Sequence, residues 1–357
     1  MSGHVVPDLP AGPANVSAEA QALHDESIVI DGCTFFFDGY GPLLRASGLT
    51  ASNYTVPLPM DDALEGIVRV KEYYKAVARD PDTDVVYTAD DIRRLKAEKR
   101  YGVIIGSQNA RIVGNDPAWL ELYQRLGLRV LQLTYNERNF VGDGCLEQND
   151  AGLSHFGKRL VREANRLGVT VDLSHASLKT TFDAVQVSEK PVIVSHIGVS
   201  AIVPGSRSLP DDAMVAVART GGVIGVTSFP KVHWRNQGRR PSFEDFLDAL
   251  EHVIRLVGID HVSYGSDYVA KAGNYPEWVI RYLADTYAPY RGPSLDPGLE
   301  SVLGGIDIHD EQLEGFAGIH HLPRLTEALL RRGYSPQDVQ KVLGGNLLRV
   351  FEETWAA

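Results

Sequence analysis

From Ser27 onward, short β-branched runs alternate with stretches whose apolar residues recur at helical spacing, and no other feature constrains the fold as strongly. A chain that alternates in this way builds βα units around a parallel sheet covered by helices. Strands are expected at Ile28–Asp31, Gly102–Gly106, Val130–Thr134, Thr170–Ser174, Val192–Ser195, Val223–Thr227 and Val262–Ser266. Helices are expected at Pro117–Leu126, Phe156–Leu167, Leu178–Val187, Asp211–Thr220 and Phe243–Leu256, several closed by glycine. Seven strands point to a (β/α)8 barrel of the TIM type, with distortion where no eighth strand is evident.

The tail gives the sharpest local reading. Leu322–Arg332 ends at Gly333, Ser335-Pro336 with Asp338 starts a helix running to Leu343, Gly344-Gly345 breaks it, and Asn346–Trp355 follows. The domain plan is therefore an N-terminal extension over residues 1–26 and a single barrel over 27–357 with a C-terminal helical tail. Residues 268–318 are Gly/Pro-rich, hold one candidate helix at Pro276–Tyr287, and read as a lid or subunit contact.

A formal charge of -11 with no basic stretch excludes nucleic acid and anionic membrane as partners, since both need clustered Lys and Arg. A small molecule is the expected partner. With only Cys33 and Cys145 no disulfide framework is indicated. Residues 1–18 lack the basic start and apolar stretch of a signal peptide, so a cytoplasmic location is expected.

Barrel active sites form where strands end. The ends here carry Cys33 with Phe35, Gln108, Tyr135, His175, His196, Thr227 with Ser228, and Asp267. Val171-Asp-Leu-Ser-His175 and Val192-Ile-Val-Ser-His196 each deliver one imidazole after a serine, and Val262-Ser-Tyr-Gly-Ser-Asp267 delivers a carboxylate. Two histidines and an acid around a water are the usual composition of a catalytic zinc site, and the chemistry implied is metal-assisted hydrolysis. Taken singly, each has a plainer role: a core histidine, or an aspartate capping a turn. Arg207, in Pro204-Gly-Ser-Arg-Ser-Leu-Pro210, is suited to hold a substrate carboxylate, or to form a surface ion pair. His320 and His321 are adjacent, His155 begins a helix, and the remaining histidines show no convergent spacing.

These residues resemble the membrane (renal) dipeptidases, peptidase family M19, among the amidohydrolase-like metal-dependent barrels. The matching text is Gly152-Leu-Ser-His-Phe-Gly157, Val161-Arg-Glu-Ala-Asn-Arg-Leu-Gly168, Val171-Asp-Leu-Ser-His-Ala-Ser177, Pro191-Val-Ile-Val-Ser-His196, Ser206-Arg-Ser-Leu-Pro-Asp-Asp212, Gly265-Ser-Asp267 and Leu322–Phe351. The resemblance implies a (β/α)8 barrel holding two zinc ions that cleaves dipeptides, and a homodimer by analogy. His175 and His196 match the family's histidine ligands, Arg207 its carboxylate-binding arginine, and Asp267 the acid of its last catalytic strand.

Four other family residues are replaced. Where the family reads Asp-Gly-His-x-Asp the chain has Asp31-Gly32-Cys33-Thr34-Phe35, Gln108 stands for the bridging Glu, and Tyr135 for a substrate-contacting His. With Asp267 as the one carboxylate left among the matched positions, two divalent ions about 4 Å apart would repel too strongly. The expectation is one divalent metal, zinc, on His175 and His196. Asp267 then serves as ligand or general base, Gln108 as a weak ligand or partner of the bound water, and Tyr135 as a catalytic or substrate contact. Cys33 is a further ligand candidate, or a small buried hydrophobe. Glu137, Asp143 and Glu147 lie in a polar loop that could return a carboxylate.

Three functions remain open at this level. The first is a single-metal hydrolase cutting an amide bond in a dipeptide or a small N-acyl or cyclic-amide substrate that carries a carboxylate. The second is a catalytically silent barrel that binds a small carboxylate or a partner protein. The third is a single-metal lyase or isomerase with Tyr135 as acid or base.

Overall fold

The computed structural model describes residues 16–35, 41–235, 239–267, 313–316 and 318–355. Among these residues ten strands form: β1 (Ile30–Thr34), β2 (Ala51–Thr55), β3 (Thr83–Val85), β4 (Tyr101–Ser107), β5 (Leu128–Gln132), β6 (Thr170–Asp172), β7 (Ile193–Val199), β8 (Ser208–Leu209), β9 (Val223–Thr227) and β10 (Val262–Gly265). Eight of them run parallel in the order β1-β2-β4-β5-β6-β7-β9-β10, with β3 beside β4 and β8 beside β7. The sheet curls until its ends meet. Past β10, Ser266 N–H donates to Asp31 Oδ1 at 2.7 Å and Asp267 N–H to the Cys33 carbonyl at 2.9 Å, drawing the last strand onto the first.

Both faces of this sheet are covered, so its strands are buried along their length, β4 and β7 throughout. The surrounding helices start where the sequence offers a side-chain cap. Ser154 accepts from Gly157 N–H at the head of His155–Leu167, and Ser242 and Asp245 make a capping box for Phe243–Val257. Leu178–Val187 has the expected bounds, and the four other expected helices lie within two residues of theirs.

The eighth strand of the barrel, absent from the sequence expectations, lies at Ala51–Thr55 between β1 and β4. Its sequence, Ala-Ser-Asn-Tyr-Thr, shows no apolar run because its polar groups are satisfied inside. Tyr101 Oη donates to Ser52 Oγ at 2.7 Å, and Asn53 Nδ2 donates to the Gly32 carbonyl at 2.9 Å. Residues 268–312 and 317, including the expected helix Pro276–Tyr287, lie outside the described residues. The end of that segment is anchored: Phe243 N–H donates to the Glu314 carbonyl at 2.9 Å, and Phe316 stacks on Phe243 with centroids 4.8 Å apart.

The helix Ala18–Glu26 packs against Leu322–Arg331 of the tail, with Ser17 Oγ donating to Glu327 Oε2 and His24 Nδ1 bonded to Thr326 Oγ1. After Pro336–Gln340, capped by Ser335, the chain kinks at Gly344 and continues as Asn346–Trp355. Among the described residues no helix is long and apolar enough to cross a membrane.

The barrel centre is unusually tight around one carbonyl. A Cβ added to Gly32, Gly225 or Gly265 would lie 2.6, 2.1 or 1.9 Å from the Ser195 oxygen, so three strands approach β7 where only glycine fits. The β7–β9 pairing shifts register between Val194 and Ile197, at the same place.

His233 sits beneath this region, edge-on to Phe246, its Nε2–H donating to the Thr227 carbonyl at 2.6 Å. Burial pushes its pKa down from 6.5 to about 4. The unfolded chain therefore takes up a proton at His233 before the folded one does, and stability is lost as pH falls through that window. A His233→Gln variant should escape this loss. Urea titrations at pH 7 and pH 4 should show the stability difference between wild type and variant moving by roughly 3 kcal/mol in the variant's favour on acidification. An unchanged difference would mean that His233 is hydrated.

Candidate active site

The strand ends bring the expected residues to one end of the barrel. Cys33 lies in β1, Gln108 follows β4, Tyr135 lies three residues past β5, His175 three past β6, and Asp267 two past β10. His196 was expected to follow its strand but lies inside β7, which continues to Val199. The contacts form a chain. The Tyr135 ring stacks on His175 at 4.2 Å, His175 Nε2 lies 3.0 Å from His196 Nε2, and His196 Nε2 lies 3.9 Å from Asp267 Oδ1. The ligand atoms of Cys33, His196 and Asp267 lie within 4.8 Å of one another, and Gln108 Nε2 donates to Cys33 Sγ at 3.2 Å. His175 and Asp267 both have left-handed backbones, φ 62° and 50°, a conformation that costs energy and is seldom kept without function.

Both imidazoles are held from behind. His175 Nδ1 lies 2.7 Å from Asn136 Oδ1, an oxygen that only accepts, so the proton is on Nδ1. Ser195 Oγ donates to Asp172 Oδ2 and so receives the proton of His196 Nδ1 at 2.8 Å. In each ring the remaining lone pair is therefore on Nε2, and the two lone pairs face each other. Burial, reinforced by the Arg207 charge, pushes both histidines well below their ordinary pKa and keeps them neutral. Two neutral acceptors aimed at one point repel unless a donor or a cation lies between them, and a cation satisfies both at once. Tetrahedral zinc with bonds of about 2.0–2.1 Å would set neighbouring nitrogens roughly 3.4 Å apart, close to the spacing here. The donor set fits a divalent metal.

The carboxylates that hold this frame escaped the sequence reading. Asp172 accepts from Ser174 N–H, Ser195 N–H and Ser195 Oγ, fixing the residue before His196. Asp31 accepts from Cys33 N–H, Ser266 N–H and Ser266 Oγ, fixing the residue before Asp267. A signal was there: each aspartate stands two residues before a strand-end group, in Asp31-Gly-Cys33 and Asp172-Leu-Ser174. Asn136, directly after Tyr135, was also missed. The acids of the polar loop brace the loop itself. Asp143 pairs with Arg138 and accepts from Ala151 N–H, while Glu147 accepts from Arg138 N–H.

Arg207 is buried, and Nη1 has no hydrogen-bond partner among the described residues, so the surface ion pair is not what it forms. Its charge is felt at His175, His196, Cys145 and Asp267. Burial pushes Asp267 up to about 6, with Arg207 acting in the opposite direction, and burial pushes the Cys33 thiol up. Phe35 packs against the core. His320 and His321 lie in a turn before the tail, ring to ring at 4.3 Å.

Known proteins with the same architecture bear on this site. The family described as membrane dipeptidase, peptidase family M19, matches residues 49–279 and 298–357. Dipeptidase tcpJ of Claviceps purpurea is 28% identical over 272 residues, 76% of this chain and 55% of that protein. The chain spans about half the length of the curated relatives it matches. An amidohydrolase from Pseudomonas aeruginosa superposes with a TM-score of 0.83 at 30% identity, covering 95% of this chain and 99% of that one. A metallopeptidase from Rhodobacter sphaeroides, solved with a phosphinate mimic of the dipeptide L-Ala-D-Ala, shares the fold with a TM-score of 0.73 at 22% identity, covering 92% and 100%. With the family match extending over most of the barrel and the tail, the chain belongs to the membrane dipeptidases, peptidase family M19.

Proposed function

We propose that the protein is a metal-dependent hydrolase with one metal rather than two, cleaving the amide bond of a dipeptide or of a small N-acyl or cyclic-amide substrate that carries a carboxylate. The facing Nε2 atoms of His175 and His196, 3.0 Å apart with their outer nitrogens tied to Asn136 and Ser195, carry this reading. When bound, a divalent ion such as zinc supplies a Lewis acid for the scissile carbonyl. The remaining chemistry belongs to the chain. Asp267, held near neutrality at about 6, takes a proton from the attacking water and returns it to the leaving amine. The unpartnered Nη1 of Arg207 is available to a substrate carboxylate. Tyr135, stacked on His175, lines the substrate side of the imidazoles.

A single ion follows from charge. In the titratable group gathered around His196 the only carboxylate among the described residues is Asp267, too little to offset two divalent ions about 4 Å apart in a buried site. Metal analysis by plasma mass spectrometry on untagged protein should give about one ion per chain, and a dipeptide and N-acyl amino acid screen should find turnover. Asp267→Asn should keep the metal while kcat/KM falls by about 10²–10⁴. Loss of the metal in that variant would make Asp267 a ligand instead of the base. A protein that takes up no metal even with added zinc would be the silent barrel.

A further inference from the structure

The centre just described is short of negative charge. His175 and His196 offer only uncharged Nε2 lone pairs, their outer nitrogens being tied to Asn136 and Ser195, so a divalent ion on them alone keeps its full charge at a buried site, where an uncompensated charge is costly. Asp267 is assigned to proton transfer. Arg207 adds a further positive charge. Asp31 and Asp172 are turned to serine donors, and among the described residues the further group that gathers with His196 and Asp267 and can become an anion is Cys33, its ligand atom within 4.8 Å of theirs.

Three observations set Cys33 apart from an ordinary buried thiol. It is on β1, across the barrel seam from Asp267, and its carbonyl accepts from Asp267 N–H, which ties the two residues across the seam. Its sulfur receives a hydrogen bond from Gln108 Nε2, a donor placed as an acceptor sulfur requires. Asp31 holds Cys33 N–H and Ser266 together and fixes where the sulfur points relative to β10. The Gln108 carbonyl oxygen, beside this sulfur and buried, has no hydrogen-bond partner among the described residues.

We propose that Cys33 is a thiolate ligand of the metal ion shared with His196, which makes this a sulfur-ligated centre. The proposal rests on the metal-centre reading above. On binding, the Cys33 S–H bond breaks, its proton leaves to solvent and a metal–sulfur bond forms. Thiolate and Asp267 carboxylate together balance a divalent charge, which leaves Asp267 free as base. A soft ligand in the set favours zinc or cobalt over magnesium or calcium.

The test is cobalt(II) chloride titrated into the full-length apoprotein and followed by absorption. A thiolate-to-cobalt charge-transfer band in the near ultraviolet, saturating at one cobalt per chain and retained in Cys145→Ser, is the expected result. Because the chain has only two cysteines, that pair of measurements assigns the band to Cys33 without relying on a Cys33 variant folding. Cys33→Ser should then bind cobalt at least about tenfold more weakly and without the band, a loss no smaller than that from removing an outer-shell partner. Stoichiometric cobalt without the band, or a band that disappears with Cys145→Ser, overturns the thiolate and leaves the metal centre standing. No cobalt uptake overturns both.

Discussion

Replacing His196 by alanine should empty the centre. Metal content should fall from about one ion per chain to near none, and kcat/KM should drop by about 10³-fold or more, the equivalent of the several kcal/mol a bound Lewis acid contributes. The expectation comes from position as much as from chemistry. His196 touches His175 on one side and Asp267 on the other, and its ring is fixed through Ser195 to Asp172. It sits in the middle of a buried strand, where its ring is held in one orientation. Thermal melts alongside the metal assay separate loss of ligand from loss of fold. His252→Ala, which removes an outer-surface imidazole bonded to Asp211, should change neither metal content nor turnover. If His196→Ala kept its metal and its rate, the facing-imidazole centre would be wrong.

Gly265→Ala should be the most damaging added methyl among the described glycines. The added carbon would lie 1.9 Å from the Ser195 carbonyl oxygen and 3.2 Å from the His196 Cβ, against backbone that three other strands hold in place. Overpacking of a core commonly costs about 1–3 kcal/mol; here the obstruction is backbone at the barrel centre, and about 3 kcal/mol or more, or failure to accumulate as soluble protein, is expected. Gly258→Ala makes the informative contrast. That glycine has φ 87° but open space around its Cβ, so only backbone strain of about 1–2 kcal/mol applies. Denaturant titration of both variants checks the ranking, and a Gly265→Ala protein as stable as Gly258→Ala would show that β10 does not approach β7 so closely.

The parts of this architecture that could be read from the chain are those where one residue type carries its own message. Apolar runs announced seven of the eight barrel strands, and apolar residues at helical spacing announced five helices that the fold retains. Ala51–Thr55 stayed hidden because a polar strand can be buried only with partners, and those partners, Tyr101 and Gly32, lie far along the chain. The same limit governs the site. Strand ends identified His175, His196, Asp267 and Cys33, since a polar residue closing an apolar run is visible on its own. Asn136, Asp172 and Asp31 matter for what they hold across strands, and the spacing that marks the two aspartates gains its meaning only when those strands lie side by side. The weight given to Cys33 also changes only once the barrel closes, because its neighbours come from β7 and from the residues after β10.

The pairing of the helix Ala18–Glu26 with the tail bears on how the protein is made. Ser17 and His24 find Glu327 and Thr326 across 310 and 302 residues of chain, and the residues after β10 are drawn onto β1 over a separation of 235. Contacts this distant close slowly, because the loop entropy is lost before the contact is made. On the ribosome the helix Ala18–Glu26 must therefore wait, its partner side unoccupied, until Thr326 and Glu327 have emerged. Docking of that helix and closure of the barrel seam become late events, in which segments far downstream fasten upstream ones and bring Cys33 beside Asp267.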